Sequence, residues 1–133
     1  MNPAIATYDY KYRKEVESAD ITAYPGVHDG KGTIGVRFFF RTDDSPLPAV
    51  LLIYDIPPGA SEGVHTHRLG DEEAGSFDEF YYIISGQGQM GIAQEIIPVK
   101  AGDNVFTPNG VPHGIENTSN EEHLKVYLIA MMR

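Results

Sequence analysis

Fourteen glycines and nine prolines cut this chain of 133 residues into short segments, so no long uninterrupted apolar stretch remains. Between the breaks, the apolar residues are mainly valine, isoleucine, phenylalanine and tyrosine, the β-branched and aromatic types that suit a pleated, half-buried surface. The pattern predicts strands at residues 33–41 (TIGVRFFFR), 49–56 (AVLLIYDI), 64–68, 79–85 (EFYYIIS), 87–93, 95–99, 104–107, 113–116 and 124–131. Turn signals separate nearly all of them: PPG at 57–59, SGQG at 85–88, KAGD at 100–103, PNGVP at 108–112 and NTSNEE at 117–122. Many short strands at this spacing imply an all-β fold, an antiparallel sandwich or barrel. Only residues 8–20 hint at a helix, through Tyr8, Tyr12 and Val16, and their charge and terminal position suit a loosely packed arm equally well.

With 41% hydrophobic residues and no low-complexity tract, the chain has the material for one core. The expected organisation is an N-terminal arm with a first edge strand over residues 1–30 and a single domain over 31–133. Ten basic against nineteen acidic residues give a net charge of −9, which repels a phosphate backbone or an anionic membrane surface. Neither nucleic acid nor membrane is an expected partner. The chain has no cysteine, so it offers neither disulfide nor thiolate, and any metal must be held by imidazole and carboxylate. The first twenty residues lack a run of signal-peptide type, and no segment approaches the roughly 20 apolar residues of a membrane helix. The expected compartment is the cytoplasm.

Residues 59–86, GASEGVHTHRLGDEEAGSFDEFYYIISG, hold two of the five histidines one residue apart. In a strand, side chains alternate faces, so His65 and His67 point the same way and can chelate one ion. An isolated His-x-His pair is also what a polar strand produces by accident, so the surrounding residues must decide. Gly59 is followed by five residues and then by His65 and His67; Glu79 is followed by six residues and Gly86. Further on, Gly102, Pro108, Gly110, His113 and Asn117 stand at spacings of five, one, two and three intervening residues. These two sets resemble the two motifs of the cupin family. The resemblance spans residues 59–117 and implies a conical antiparallel β-barrel of six to eight strands, a double-stranded β-helix or jelly roll. It also implies a metal bound in the wide end by His65, His67, Glu79 and His113.

One departure from the family pattern lies between the histidine pair and the glutamate, where a spacer of three or four residues is usual and this chain has RLGDEEAGSFD. Strict spacing selects Asp71 or Glu72. Counting back from Gly86 selects Glu79, which opens a β-prone run and can sit beside His65 and His67, whereas Asp71, Glu72 and Glu73 lie among glycines and charges that read as a solvated loop. Alternation favours Glu79 over Asp78, turning Glu79, Tyr81 and Ile83 inward and Phe80, Tyr82 and Ile84 outward. The enlarged loop at 68–78 then reads as a lid or interface element.

Three neutral imidazoles and a carboxylate leave a divalent ion with a net charge of about +1 and open coordination positions. Zinc, iron, manganese, nickel, cobalt and copper all tolerate this set. Tyr81 is the first candidate for a proton-handling or substrate-binding group, with an aromatic core filler as the bland alternative. Arg37 and Tyr54 join it only if strand phase turns them inward, and long apolar strands give no clean phase. His28 and His123 match no motif position and read as surface residues. Asn117 reads as a turn-fixing amide.

The resemblance implies a metal-dependent enzyme acting on a small oxygenated metabolite, an anionic or bidentate oxygen ligand, through non-redox lyase, isomerase or cyclase chemistry. The alternatives are an iron or nickel dioxygenase and, of another class, a non-catalytic metabolite- or sugar-binding protein. A homodimer is expected, built on the apolar runs at 38–40 and 127–132, which serve equally well as simple core.

Overall fold

The computed structural model describes residues 14–16, 21–40, 49–69 and 75–133. Its elements are β1 (Ile21–Pro25), a 3-10 turn (Val27–Asp29), β2 (Thr33–Phe39), β3 (Ala49–Ile56), β4 (Ser61–His65), β5 (Phe77–Ser85), β6 (Gln87–Ile92), β7 (Glu95–Lys100), β8 (Asn104–Thr107), β9 (His113–Glu116) and β10 (Leu124–Met132). They form two antiparallel sheets, one ordered β1-β2-β3-β10-β5-β8 and the other β4-β9-β6-β7. Among the described residues, ten strands stand where the resemblance implied six to eight, and the sheets share one core rather than closing into a single hydrogen-bonded ring.

Period-two patterning builds that core. Along β10, Leu124, Val126, Leu128 and Ala130 are buried while Lys125 is exposed, and along β3, Leu52, Tyr54 and Ile56 are buried between partly covered neighbours. The second sheet contributes Met90, Val99 and Ile115 to the same cluster. Pro98 is accommodated because β7 is an edge strand, where a missing N–H leaves no ladder bond unmade.

Most of the expected strands appear within two residues of their predicted ends. β1 lies at the edge of its sheet, with all five residues exposed, and pairs along β2. The strand expected at 64–68 is displaced: β4 starts at Ser61 and ends at His65, so His67 lies beyond it. The register explains the stop. His65 pairs with His113, which would set residue 66 opposite Pro112, and proline has no N–H to extend the ladder. Residues 14–16 carry no regular structure, and the rest of the helix considered at 8–20 lies outside the described residues. Asp71, Glu72 and Glu73 also lie outside them. Among the described residues, no helix is long and apolar enough to cross a membrane.

Candidate metal centre

The inner side chains of β4 are set by an irregularity. Glu62 pairs with Ile115 but His65 pairs with His113, so β4 carries one more residue than β9 over this interval, a β-bulge. Regular alternation would put residues 62 and 65 on opposite faces. The bulge instead buries Glu62, turns Val64 out to 65% exposure, and sends His65 inward with Glu62. His67 follows on irregular backbone tied to the 108–112 turn, its carbonyl accepting the N–H of Gly110 at 2.6 Å. Glu79 comes from β5, with Tyr81 and Ile83 buried on its face and Tyr82 and Ile84 exposed on the other, as alternation required. His113 opens β9 after Pro112 and is 1% exposed.

Each of the three rings has its Nδ1 on a backbone carbonyl: His65 on Gly63 at 2.9 Å, His67 on Gly75 at 3.2 Å and His113 on Val111 at 2.8 Å. A carbonyl only accepts, so each Nδ1 donates and each Nε2 is left to present a lone pair inward. The Nε2 atoms of His67 and His113 lie 2.7 and 2.8 Å from Glu79 Oε1, and that of His65 lies 3.8 Å away. His65 Nε2 is buried without a hydrogen-bond partner. Lone pairs from three nitrogens and a carboxylate so close together are reconciled only by a positive charge among them, a proton or a metal ion. The four donor atoms lie within 4.8 Å of one another, so this buried group is compatible with a metal site. Burial alone would raise the Glu79 carboxyl, yet its contacts with His113, His65 and His67 hold it well below the usual carboxylate range. Burial alone would lower His65, but Glu79, Glu62 and the Gly63 carbonyl leave it raised.

The other sequence candidates divide. Tyr81 is fully buried, its ring edge-on to His113 at 5.6 Å, and Tyr54 is 6% exposed. Their hydroxyls converge on a residue the sequence reading passed over: Tyr54 Oη donates to Glu62 Oε2 at 2.6 Å and Tyr81 Oη to Glu62 Oε1 at 2.7 Å. Burial pushes the Glu62 carboxyl up. Both phenols are held well above their ordinary range, by burial first and then by the charge of Glu62, so they remain donors. Arg37 is a correction: on β2 it falls between the buried positions Ile34 and Val36 and the partly covered Phe38, on the outer face. There its guanidinium donates to the Val16 carbonyl at 2.7 Å and lies 4.8 Å from the centre of the Phe39 ring.

His28 has a contact that the sequence did not show. It is exposed, as a surface residue should be, but its ring stacks on His65 at 3.6 Å and 6° between planes. Burial, then the neighbouring His65 and His67, lower its pKa to about 4. No spacing rule couples position 28 to position 65; the flanking Gly26 and Gly30 were the only local sign of a turn able to reach back. His123 is a surface residue as read, 2.7 Å from Asp55. Asp78 is directed elsewhere, accepting the Asn109 N–H and pairing with Arg133 at 2.9 Å. Asn117 fixes the turn: its amide donates to the carbonyls of Ile56 and Glu122, and its oxygen accepts the Ser119 N–H.

Comparison with known proteins agrees with this geometry. Residues 52–130 match the model of a family described as "Cupin domain". The chain is 34% identical over 110 residues to a Thermotoga maritima protein named "oxalate-binding protein", covering 80% of this chain and 85% of that one. A crystal structure of a predicted oxalate decarboxylase from Thermotoga maritima is 29% identical, with a TM-score of 0.77 over 90% of this chain and 100% of that one. The polyketide cyclase RemF of Streptomyces resistomycificus, 20% identical with a TM-score of 0.68 over 92% of this chain and 81% of that one, shares the fold. Two family motifs, the first with an enlarged spacer, a two-sheet β-fold and a buried His/Glu group therefore meet in one chain, which belongs to the cupin family.

Proposed function

We propose that His65, His67, Glu79 and His113 hold one divalent transition metal, and that the chain binds and acts on a small anion of the oxalate class through non-redox, lyase-type chemistry. The observation that carries this reading is the convergence of three Nε2 lone pairs and one carboxylate in a buried space. The bound ion supplies a Lewis-acid centre with a net charge of about +1. The anion needs that charge, because no lysine or arginine is buried among the described residues. The backbone carbonyls of Gly63, Gly75 and Val111 keep the imidazoles in the tautomer that binds a cation. Glu62, gripped by Tyr54 and Tyr81 and raised by burial, is the interior carboxylate suited to take up a proton beside the anion. The names of the two Thermotoga maritima relatives support an oxalate-class ligand.

Elemental analysis of the purified protein tests the first half, with about one metal ion per chain expected. Calorimetric titration of the metal-loaded protein with oxalate tests the second, and the absence of binding refutes it. One relative is named for binding rather than turnover, which favours a second reading, a non-catalytic oxalate-class binder. Formate and carbon dioxide released from bound oxalate distinguish the enzyme from the binder.

We further propose a second copy of this chain as partner. Across the six-stranded sheet, Phe39, Leu51, Ile129, Phe80 and Phe106 are successive register partners, forming an apolar row on the outer face. Phe106 within this row keeps 49% of its surface exposed, and Tyr82 beside it keeps 45%. Such a surface in a chain of net charge −9 suits an uncharged self-contact. Phe106→Glu should shift sedimentation from dimer to monomer; a monomeric parent protein refutes the proposal.

A further inference from the structure

His28 differs from a surface histidine in three respects. Its ring lies flat on His65 and edge-on to His67, 6.2 Å between centroids. It is exposed while the side chains of His65 and His67 are 8% and 7% exposed, so it stands between the cluster and solvent. Its backbone takes φ 49° and ψ 43°, a left-handed conformation that costs a residue with a Cβ about 1 kcal/mol or more. That conformation is held from outside, because the His28 carbonyl packs against Gly63 so closely that a Cβ at 63 would collide with it.

A ring nitrogen of His28, one of His65 and a carboxylate oxygen of Glu62 lie within 4.8 Å of one another. The separations are all shorter than two hydrogen bonds end to end, about 5.6 Å, so one ligand atom can come within reach of more than one of these groups. The same three residues have the composition of a second metal site. However, His65 has only one inward lone pair, its Nδ1 is engaged with Gly63, and both oxygens of Glu62 already accept phenols. A second ion would rest chiefly on His28.

We infer that His28 is a specificity residue: its ring donates an N–H hydrogen bond to the outer carboxylate of a dicarboxylate whose inner oxygens sit at the four-residue cluster. It thereby favours oxalate over monocarboxylates. The inference rests on the oxalate-class reading above and extends it to the residue that distinguishes the second carboxylate.

The test uses the full chain loaded with one equivalent of Mn(II), with calorimetric titration of oxalate and of acetate into the parent protein, His28→Phe and His28→Gln. Phenylalanine keeps the flat ring and loses the donor, whereas glutamine keeps a donor and loses the ring. Both carry the same left-handed backbone cost, so a loss caused by backbone strain appears in both. Expected is a weakening of oxalate binding by about tenfold or more in His28→Phe, with acetate changed less than about twofold, substantial recovery in His28→Gln, and one manganese per chain throughout. Oxalate binding by His28→Phe at parental strength overturns the inference alone. So does an equal loss for oxalate and acetate, an equal loss in both variants, or loss of manganese. No oxalate binding by the parent overturns the oxalate-class reading and this inference with it.

Discussion

Removing the Tyr54 hydroxyl isolates one buried contact of the Glu62 carboxylate. Tyr54→Phe keeps the ring, 6% exposed in the core, and deletes only the donor 2.6 Å from Glu62 Oε2. Glu62 is 3% exposed, so water cannot replace that donor, and Tyr81 Oη still occupies only the other oxygen. A hydrogen bond to a charged, buried acceptor contributes about 1.5–3 kcal/mol, so a loss of about 2 kcal/mol is expected, roughly thirtyfold in the folding equilibrium. With a urea dependence of about 2 kcal/mol per molar, the midpoint falls by about 1 M. The measurement is urea unfolding followed by circular dichroism, with chelator present throughout so that metal binding does not add to the folded state. Repeating it in a Glu62→Gln background completes a double-mutant cycle. There the same phenol faces a neutral amide and its removal costs about 1 kcal/mol, leaving a coupling of about 1 kcal/mol. A midpoint shift below about 0.3 M, or identical costs in both backgrounds, refutes the argument that Glu62 is an ionised acceptor held by its phenols.

Three further outcomes are expected. His65→Ala and His113→Ala should each lose bound metal while keeping the β-sheet circular dichroism of the parent, since the core is built from the apolar strands; stoichiometric metal in both variants refutes the ligand assignment. The depressed carboxyl of Glu79 contributes stability to the metal-free protein that is present above the unfolded carboxyl value of about 4.3 and lost as pH falls below it, and chelated protein with equal urea midpoints at pH 6 and pH 3 contradicts this. Gly63→Ala drives a Cβ into the His28 carbonyl and should cost about 1–3 kcal/mol while weakening oxalate binding, which calorimetry and urea unfolding read together; a variant unchanged in both would show that the contact carries nothing.

The sequence made much of the fold legible because period two and turn chemistry are local. β3, β8 and β9 coincide with their predicted ranges, and the burial of Glu79, Tyr81 and Ile83 follows from alternation alone. Arg37 shows where that reading fails: in TIGVRFFFR both faces are apolar enough that nothing local sets the phase, and only pairing with β3 puts Val36 opposite Tyr54 on the inside and Arg37 opposite Ile53 on the outside. Glu62 was hidden for a different reason. Its three-residue distance from His65 reads as opposite faces unless a bulge is known to intervene, and a bulge is a property of the β4–β9 pair, not of β4. His28 was hidden by distance along the chain, since ring stacking across 37 positions leaves no periodicity to detect.

Both hidden residues converge on Gly63. It sits inside the bulge that brings Glu62 to the face of His65, its carbonyl accepts the Nδ1 proton of His65, and its missing side chain leaves room for the His28 carbonyl. The neighbouring Gly30 packs as closely on the Ser61 carbonyl, so the 3-10 turn and β4 meet backbone to backbone at two points. Side chains at these positions would separate the two elements and move His28 away from His65. The physical requirement for glycine at 63 is therefore twofold, a bulge on one side and a close approach on the other, and neither follows from the left-handed torsions for which glycine is usually read, since residue 63 has none. The surroundings of the metal-compatible group are thus set by a residue with no functional atoms of its own, acting through the backbone positions of the groups that have them.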